Sequence, residues 1–328
     1  MTSHPLQLAD IEQAALRIQG HAVETPLLEF HSLNERCQGR VLVKPEVLQR
    51  TGSFKFRGAY NTLASLSPEE RARGVLAFSS GNHAQGVACA AKLLGIRATI
   101  LMPRDAPALK IRRTREYGAQ VVLFDRETED REAIAATLTA ESGAVLVKPY
   151  DDPRVMAGQG TLGLEIARQA KALGLHPDMA LVPCGGGGLI AGVSVALHSQ
   201  FPEIALYAVE PEGFDDTGRS LVAGSRQSIA PGGHSICDAI LTPAPGELTF
   251  EINRQLLRGA LTVTDAEVRF ALRWAFENLK LVVEPGGVVG LAALLAGRIV
   301  LEGRCAVIVL SGGNADPALF ANALLTND

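Results

Sequence analysis

The chain reads as an α/β protein of two domains, each built on a mainly parallel twisted sheet flanked by helices, and three observations point there. Short apolar runs recur at Val75 to Phe78, Ala98 to Met102, Val121 to Phe124, Val145 to Val147, Ala180 to Pro183, Leu206 to Val209 and Ala306 to Leu310. Their residues are continuously apolar rather than alternating, as in strands buried on both faces. Helix-length amphipathic segments separate the runs, which is the order of parallel strands joined by helical crossovers. Length is the second observation: 328 residues exceed one compact domain and suit two that share an interface. Third, glycine-rich turns follow three of the runs directly, at the carboxyl ends of strands where open parallel sheets place their sites.

Composition narrows the partners. Hydrophobic residues at 47% supply ample core, while a net charge of −4 with interspersed signs gives no basic stripe, and 5% aromatics give few stacking platforms for bases. Nucleic acid is not an expected partner. No apolar run reaches membrane-spanning length, and the first twenty residues, MTSHPLQLADIEQAALRIQG, lack the positive start and apolar block of a secretory signal. The five cysteines (Cys37, Cys89, Cys184, Cys237, Cys305) are odd in number and show no Cys-x-x-Cys spacing, so a cytoplasmic protein with free, mostly buried thiols is expected.

The candidate chemistry begins at Thr51-Gly-Ser-Phe-Lys-Phe-Arg-Gly58. A lysine between two phenylalanines at a helix start is set for burial, which disfavours the ammonium form and leaves the neutral amine that attacks aldehydes. Lys55 is therefore a candidate covalent cofactor anchor. The structural alternative is a lysine whose stem packs on Phe54 and Phe56 while its charge reaches water.

The first glycine-rich turn, Ser79-Ser-Gly-Asn-His-Ala-Gln-Gly86, follows the run at 75–78 and opens a helix expected to reach about Leu94. Backbone amides at a helix start, with the Ser79 and Ser80 hydroxyls, suit a carboxylate; a plain serine N-cap is the simpler reading. The second, Cys184-Gly-Gly-Gly-Gly188, leaves the run at 180–183 and enters a helix. Four glycines let several amides converge on one phosphate. The loop lacks a Walker ending, but Gly186, Gly188 and Ala191, with Glu210 beyond, also satisfy a dinucleotide pattern, which keeps a nicotinamide-dependent oxidoreductase as a rival. The third, Ser311-Gly-Gly-Asn314, and the helix entry Glu284-Pro-Gly-Gly287, expected to lead a helix from near Val288, are each weak alone. Around Thr264-Asp-Ala-Glu267 the spacing fits a helix capping box.

Together these segments resemble the serine/threonine dehydratase and serine racemase family of pyridoxal phosphate enzymes. The motifs are TGSFKFRGA (51–59), SSGNHAQG (79–86), AGQGT (157–161), PCGGGGLIAG (183–192), VEP (209–211), VVEPGG (282–287) and SGGN (311–314), nearly end to end and in the family's order. The resemblance implies the tryptophan-synthase-beta type of fold, pyridoxal phosphate fold type II. It also implies a large cofactor domain at 1–73 and 151–328, a small substrate-gripping domain at 74–150, and a homodimer.

Residue by residue, it implies that Lys55 holds pyridoxal phosphate as a Schiff base and later takes the Cα proton. Phe54 would flank the ring, Asn82 meet its hydroxyl, Gly185, Gly186, Gly187 and Gly188 cradle the phosphate, and Ser311 face the ring nitrogen, with Glu284 beside the cofactor. A neutral Ser311 leaves the ring unprotonated and favours β-elimination over transamination. The substrate carboxylate would lie on Ser79, Ser80, Gly81 and His83, with Arg131 and Thr242 nearby. Ser80 would stand opposite Lys55 as a second acid/base group, as racemisation needs. Glu210, the Phe214 carbonyl and Asp216 match a divalent-cation site for magnesium, manganese or calcium, for which oxygen ligands are suited.

Departures from the family pattern bear on the substrate. Val47 replaces a common polar residue, and Lys148-Pro-Tyr150 replaces His-Pro-Phe; Lys148 or Arg154 would pair with a second substrate carboxylate if not simply a surface charge. The chain ends soon after SGGN, so no appended regulatory domain and no isoleucine feedback is expected. The expected activity is dehydration of a β-hydroxy-α-amino acid, threonine or serine first, to a 2-oxo acid and ammonia. A 3-hydroxyaspartate ammonia-lyase and an amino-acid racemase are the same-fold alternatives. Outside the class stand the nicotinamide oxidoreductase and a non-catalytic small-molecule binding protein.

Overall fold

The computed structural model describes residues 5–79, 81–106, 108–125 and 128–325. Among the described residues, ten strands form two sheets: β1 (Leu28–Glu29), β2 (Arg40–Pro45), β3 (Val75–Phe78), β4 (Ala98–Pro103), β5 (Gln120–Phe124), β6 (Val145–Leu146), β7 (Met179–Pro183), β8 (Ala205–Pro211), β9 (Gly259–Val263) and β10 (Cys305–Leu310). The larger sheet has the order β1-β2-β10-β7-β8-β9 and the smaller β5-β4-β3-β6. Every pairing is parallel except β1 with β2. All the strands of the smaller sheet lie between residues 75 and 146.

Burial explains the pattern of residues. The central strands β7 and β10 are apolar throughout, and helices on each side form separate cores against them, one around Leu181, Val289 and Ile308 and the other around Val182, Ile190 and Val309. All seven expected runs are strands, within one or two residues. Three further strands escaped the apolar rule. β2 carries the buried Lys44, β9 begins at Gly259 on a half-exposed edge, and β1 has two residues.

The helix Asn82–Leu94 ends where expected, at the left-handed Gly95. Thr264 and Glu267 form the capping box, each accepting the other's backbone N–H. The helix after Glu284 starts at Pro285, earlier than Val288, because proline fits the first helical position, where its missing N–H is no loss. All five cysteines are free thiols, and among the described residues no helix is long and apolar enough to cross a membrane.

Candidate active site

The carboxyl ends of β3, β7 and β10 converge on a cleft of about 150 Å³, bordered by Phe54, Lys55 and the glycine loop on one side and by Ser79, Gly81 and Asn82 on the other. Lys55 is placed there by its backbone: the Phe54 N–H donates to the Ser311 carbonyl (3.1 Å), so the helix Lys55–Ala64 starts pinned to the end of β10. Lys55 Nζ donates to the Pro149 carbonyl at 2.7 Å and lies 5.1 Å from the centre of the Phe54 ring. Burial pulls its pKa down to about 8 against the opposing pull of Glu284. The two phenylalanines have different roles: Phe54 borders the cleft, whereas Phe56 is fully buried in the core beside Tyr60.

Across the cleft, Ser79 Oγ accepts the Gly81 N–H at 3.1 Å. Ser80 lies outside the described residues. His83 is buried, with Nε2 2.9 Å from the Val147 carbonyl; burial, then the Lys55 charge, drives its pKa down to about 3. Nε2 must therefore carry the hydrogen and donate it, and the ring is neutral.

A polar chain then ties the two sheets together. Asn82 Nδ2 donates to Glu284 Oε1, Asn314 Nδ2 donates to Asn82 Oδ1 (2.8 Å), and the same amide reaches the Thr51 carbonyl (2.7 Å). Glu284 is 2% exposed; desolvation pushes its pKa up to about 7, moderated by Lys110. Its second oxygen, Oε2, is buried without a hydrogen-bond partner, and so is Thr242 Oγ1 on the cleft wall. Ser311 borders the same cleft and is 5% exposed.

The glycine loop allows no side chains. Gly187 has φ of +89°, and a Cβ on Gly186 would fall 2.3 Å from Cε2 of the Tyr150 ring. Gly185 and Gly188 complete the turn into the helix Gly188–Gln200, and Thr249 Oγ1 holds the loop by donating to the Gly186 carbonyl at 2.7 Å.

Other expected residues fall elsewhere. Arg131 is exposed, its guanidinium 5.2 Å from the Phe78 ring, on a neighbouring cleft that meets the first at Ser79. Lys148 is exposed and Arg154 sits beside Asp152 at 3.6 Å; neither borders the Lys55 cleft, so neither reads a second carboxylate there. Besides Lys55, Lys110 borders it, paired with Asp238 at 2.8 Å. Sequence reasoning missed both, since Lys110 is one of several cations in RDAPALKIRR and nothing local marks it.

Glu210 is fully buried and accepts the Thr217 and Gly218 N–H groups at 2.9 Å each, anchoring the helix Asp216–Ala223. It is not free to grip a ribose, which removes the dinucleotide reading. Burial, with Asp216 adding repulsion, raises its pKa to about 8; burial, with Asp215 adding repulsion, raises that of Asp216 to about 7. Both Asp216 oxygens are buried without a partner. No group of three or more His, Cys, Asp or Glu ligands occurs among the described residues.

A desolvated amine, a glycine cradle and unpartnered buried oxygens facing one cleft fit pyridoxal phosphate, and they define a cofactor enzyme of parallel α/β architecture. The chain belongs to the family described as pyridoxal-phosphate dependent enzyme, which matches residues 18–312. It is 44% identical to an L-threo-3-hydroxyaspartate ammonia-lyase from Pseudomonas sp over 96% of this chain and 97% of that one. It is 42% identical to the L-threonine ammonia-lyase of Thermotoga maritima over 95% of this chain and 76% of that one. The structure of maize serine racemase superposes with a TM-score of 0.92 at 35% identity, covering 98% of this chain and 97% of that one. The protein is a pyridoxal phosphate enzyme of fold type II.

The cradle makes a direct prediction. Gly186→Val forces the loop or Tyr150 aside, and overpacking of about 1–3 kcal/mol translates to about 10- to 100-fold weaker cofactor binding. Titrating apoprotein with pyridoxal phosphate and following its absorbance measures this; an unchanged Kd would mean the loop does not hold the phosphate.

Proposed function

We propose that the protein is an ammonia-lyase that dehydrates a β-hydroxy-α-amino acid, with threonine and serine as first substrates, releasing a 2-oxo acid and ammonia. The observation that carries this reading is a desolvated Lys55 amine sharing one cleft with a neutral hydroxyl, Ser311, and a carboxylate-gripping turn. Bound there, pyridoxal phosphate supplies an electron sink for the pair of electrons left when the Cα proton departs.

The chain's own residues do the rest. On the family resemblance, Ser79, Gly81 and His83 would grip the substrate carboxylate, and neutral His83 keeps the turn against Val147 without adding charge. Thr242 offers an unpartnered hydroxyl to the same group. Gly185 to Gly188 would hold the phosphate, Asn82 the ring hydroxyl and Ser311 the ring nitrogen. As a hydroxyl, Ser311 cannot supply the full positive charge that a carboxylate partner would stabilise on the ring, so elimination outcompetes transamination. Lys55, neutral above about pH 8, takes the Cα proton. The β-hydroxyl leaves with a proton as water, and the released enamine tautomerises and takes up water to give the 2-oxo acid and ammonia.

In this reading the domains are 1–73 with 151–328, carrying the larger sheet, and 74–150, carrying the smaller, with the cleft between them. A cytoplasmic homodimer is proposed on the free thiols and the family resemblance. Incubating the cofactor-loaded protein with L-serine and L-threonine should yield 2-oxo acid and ammonia in equal amounts; if no hydroxy amino acid gives either product, the reading fails.

A divalent cation at Glu210, Phe214 and Asp216 is part of the same proposal. The two bare oxygens of Asp216 beside Glu210 suit magnesium or calcium, whose charge would relieve the repulsion there. Its part is structural. Adding millimolar calcium or magnesium to chelated protein should raise Tm by a few degrees, the scale of about 2.7 kcal/mol at a hundredfold excess over Kd. No shift with either ion would remove the site.

A further inference from the structure

Lys110 lies on the helix Ala108–Glu116 of the smaller sheet, Asp238 on the short turn Asp238–Ile240 beside the larger one, and their ion pair spans the mouth of the Lys55 cleft. The two ends are unequal. The Lys110 side chain is 10% exposed and that of Asp238 55% exposed. A buried ammonium must keep an anionic partner, whereas an exposed carboxylate loses little by returning to water. The pair is therefore built to exchange at one end only.

Position says what the exchange is for. A Cβ on Gly81 would stand 3.7 Å from Lys110 Nζ, so the ammonium overhangs the turn proposed to hold the substrate α-carboxylate. That turn already offers amides and the Ser79 hydroxyl for one carboxylate, and Lys110 is engaged with another, 2.8 Å away, supplied by the opposite wall. Asp238 thus marks where a second carboxylate sits when Lys110 reads it.

We propose that Lys110 is a specificity-determining residue that binds the side-chain carboxylate of a dicarboxylic β-hydroxy-α-amino acid, and that Asp238 is the displaceable group holding its place. The inference rests on the ammonia-lyase reading above and selects, within it, a 3-hydroxyaspartate-like substrate over serine or threonine. A monocarboxylic substrate leaves the Lys110–Asp238 pair intact and gains nothing from it.

The test compares kcat/KM for 3-hydroxyaspartate and for serine in the cofactor-loaded protein and in Lys110→Gln, Lys110→Arg and Asp238→Asn. Losing a charge-assisted hydrogen bond should lower the 3-hydroxyaspartate-to-serine ratio about 10- to 100-fold in Lys110→Gln, mainly through KM. Lys110→Arg should recover part of it. Removing the competing carboxylate in Asp238→Asn should raise the ratio by up to about fivefold. An unchanged ratio in Lys110→Gln, or equal losses on both substrates, overturns the proposal, the latter because Lys110 then serves the α-carboxylate. If Lys110→Gln does not fold, an unchanged ratio in Asp238→Asn overturns it alone. Should the parent protein convert none of 3-hydroxyaspartate, serine and threonine, the ammonia-lyase reading has failed; a parent that converts serine or threonine but not 3-hydroxyaspartate leaves that reading standing and overturns the proposal, and otherwise the ratios decide on Lys110.

Discussion

Lys55→Ala protein is expected to fold, to carry no covalently attached cofactor and to lose 2-oxo acid formation by at least about 10⁴-fold, the scale on which an essential nucleophile and proton carrier acts. The expectation follows from where the amine sits. Burial strips its ammonium of water, and one acceptor, the Pro149 carbonyl, together with the Phe54 ring face and the more distant pull of Glu284, does not make up the loss, so its pKa falls to about 8. Capture of cofactor by apoprotein should therefore accelerate about tenfold per pH unit up to about pH 8 and level off above it. Linkage gives a second readout. The unfolded lysine keeps its proton to about pH 10.4 and the folded one releases it at about 8. Apoprotein should thus gain stability as pH rises between those values, and Lys55→Ala should lack that gain. Borohydride reduction followed by mass spectrometry locates the attachment; full turnover in Lys55→Ala, or a label on another lysine, would refute the assignment.

What sequence made legible in this site was local. Lys55 shows itself by its two aromatic neighbours, and the glycine loop by four residues that make no sense as ordinary helix entry. Glu284 has no local signature beyond preceding a Pro-Gly-Gly helix start, and only the family resemblance set it beside the cofactor, because its partner Asn82 is 202 positions away. Lys110 and Asp238 are 128 positions apart and meet across two sheets, so neither has a local signature. The same limit applies to the fold. β7 and β10 declare themselves by unbroken apolar residues, while β2 hides because Lys44, at its buried end, is a charge that only a distant partner makes tolerable.

That partner belongs to a buried network where Arg57→Met should have the largest effect on stability. Arg57 lies two residues beyond Lys55 on the same helix and is fully buried. It donates to both Glu46 oxygens (2.7 and 2.8 Å) and both Glu165 oxygens (2.6 and 2.9 Å). Lys44 adds its own bond to Glu165 at 2.7 Å, and Thr25 donates to Glu46 at 2.7 Å. Burial alone would strip charge from all of them. For Glu46 desolvation is opposed by Arg57, whose attraction wins and holds the carboxylate below its ordinary pKa. Methionine fills much of the space but leaves two carboxylates against one ammonium. Breaking such a network costs about 3–5 kcal/mol, much of a typical folding stability. Because Glu46 stays ionised in the parent below its ordinary pKa, that contribution is fully present above the unfolded value near 4.5 and is lost below it, as pH falls through the lower folded value. In Arg57→Met the stranded carboxylates take up protons instead. The deficit should therefore be largest near neutral pH and shrink toward pH 4, and adding Glu46→Gln to Arg57→Met should recover part of it. Chemical denaturation of the cofactor-loaded proteins at pH 7.5 and 5 measures both effects. A loss under about 1 kcal/mol, or one independent of pH, would mean that packing rather than charge holds the Lys55 helix in place.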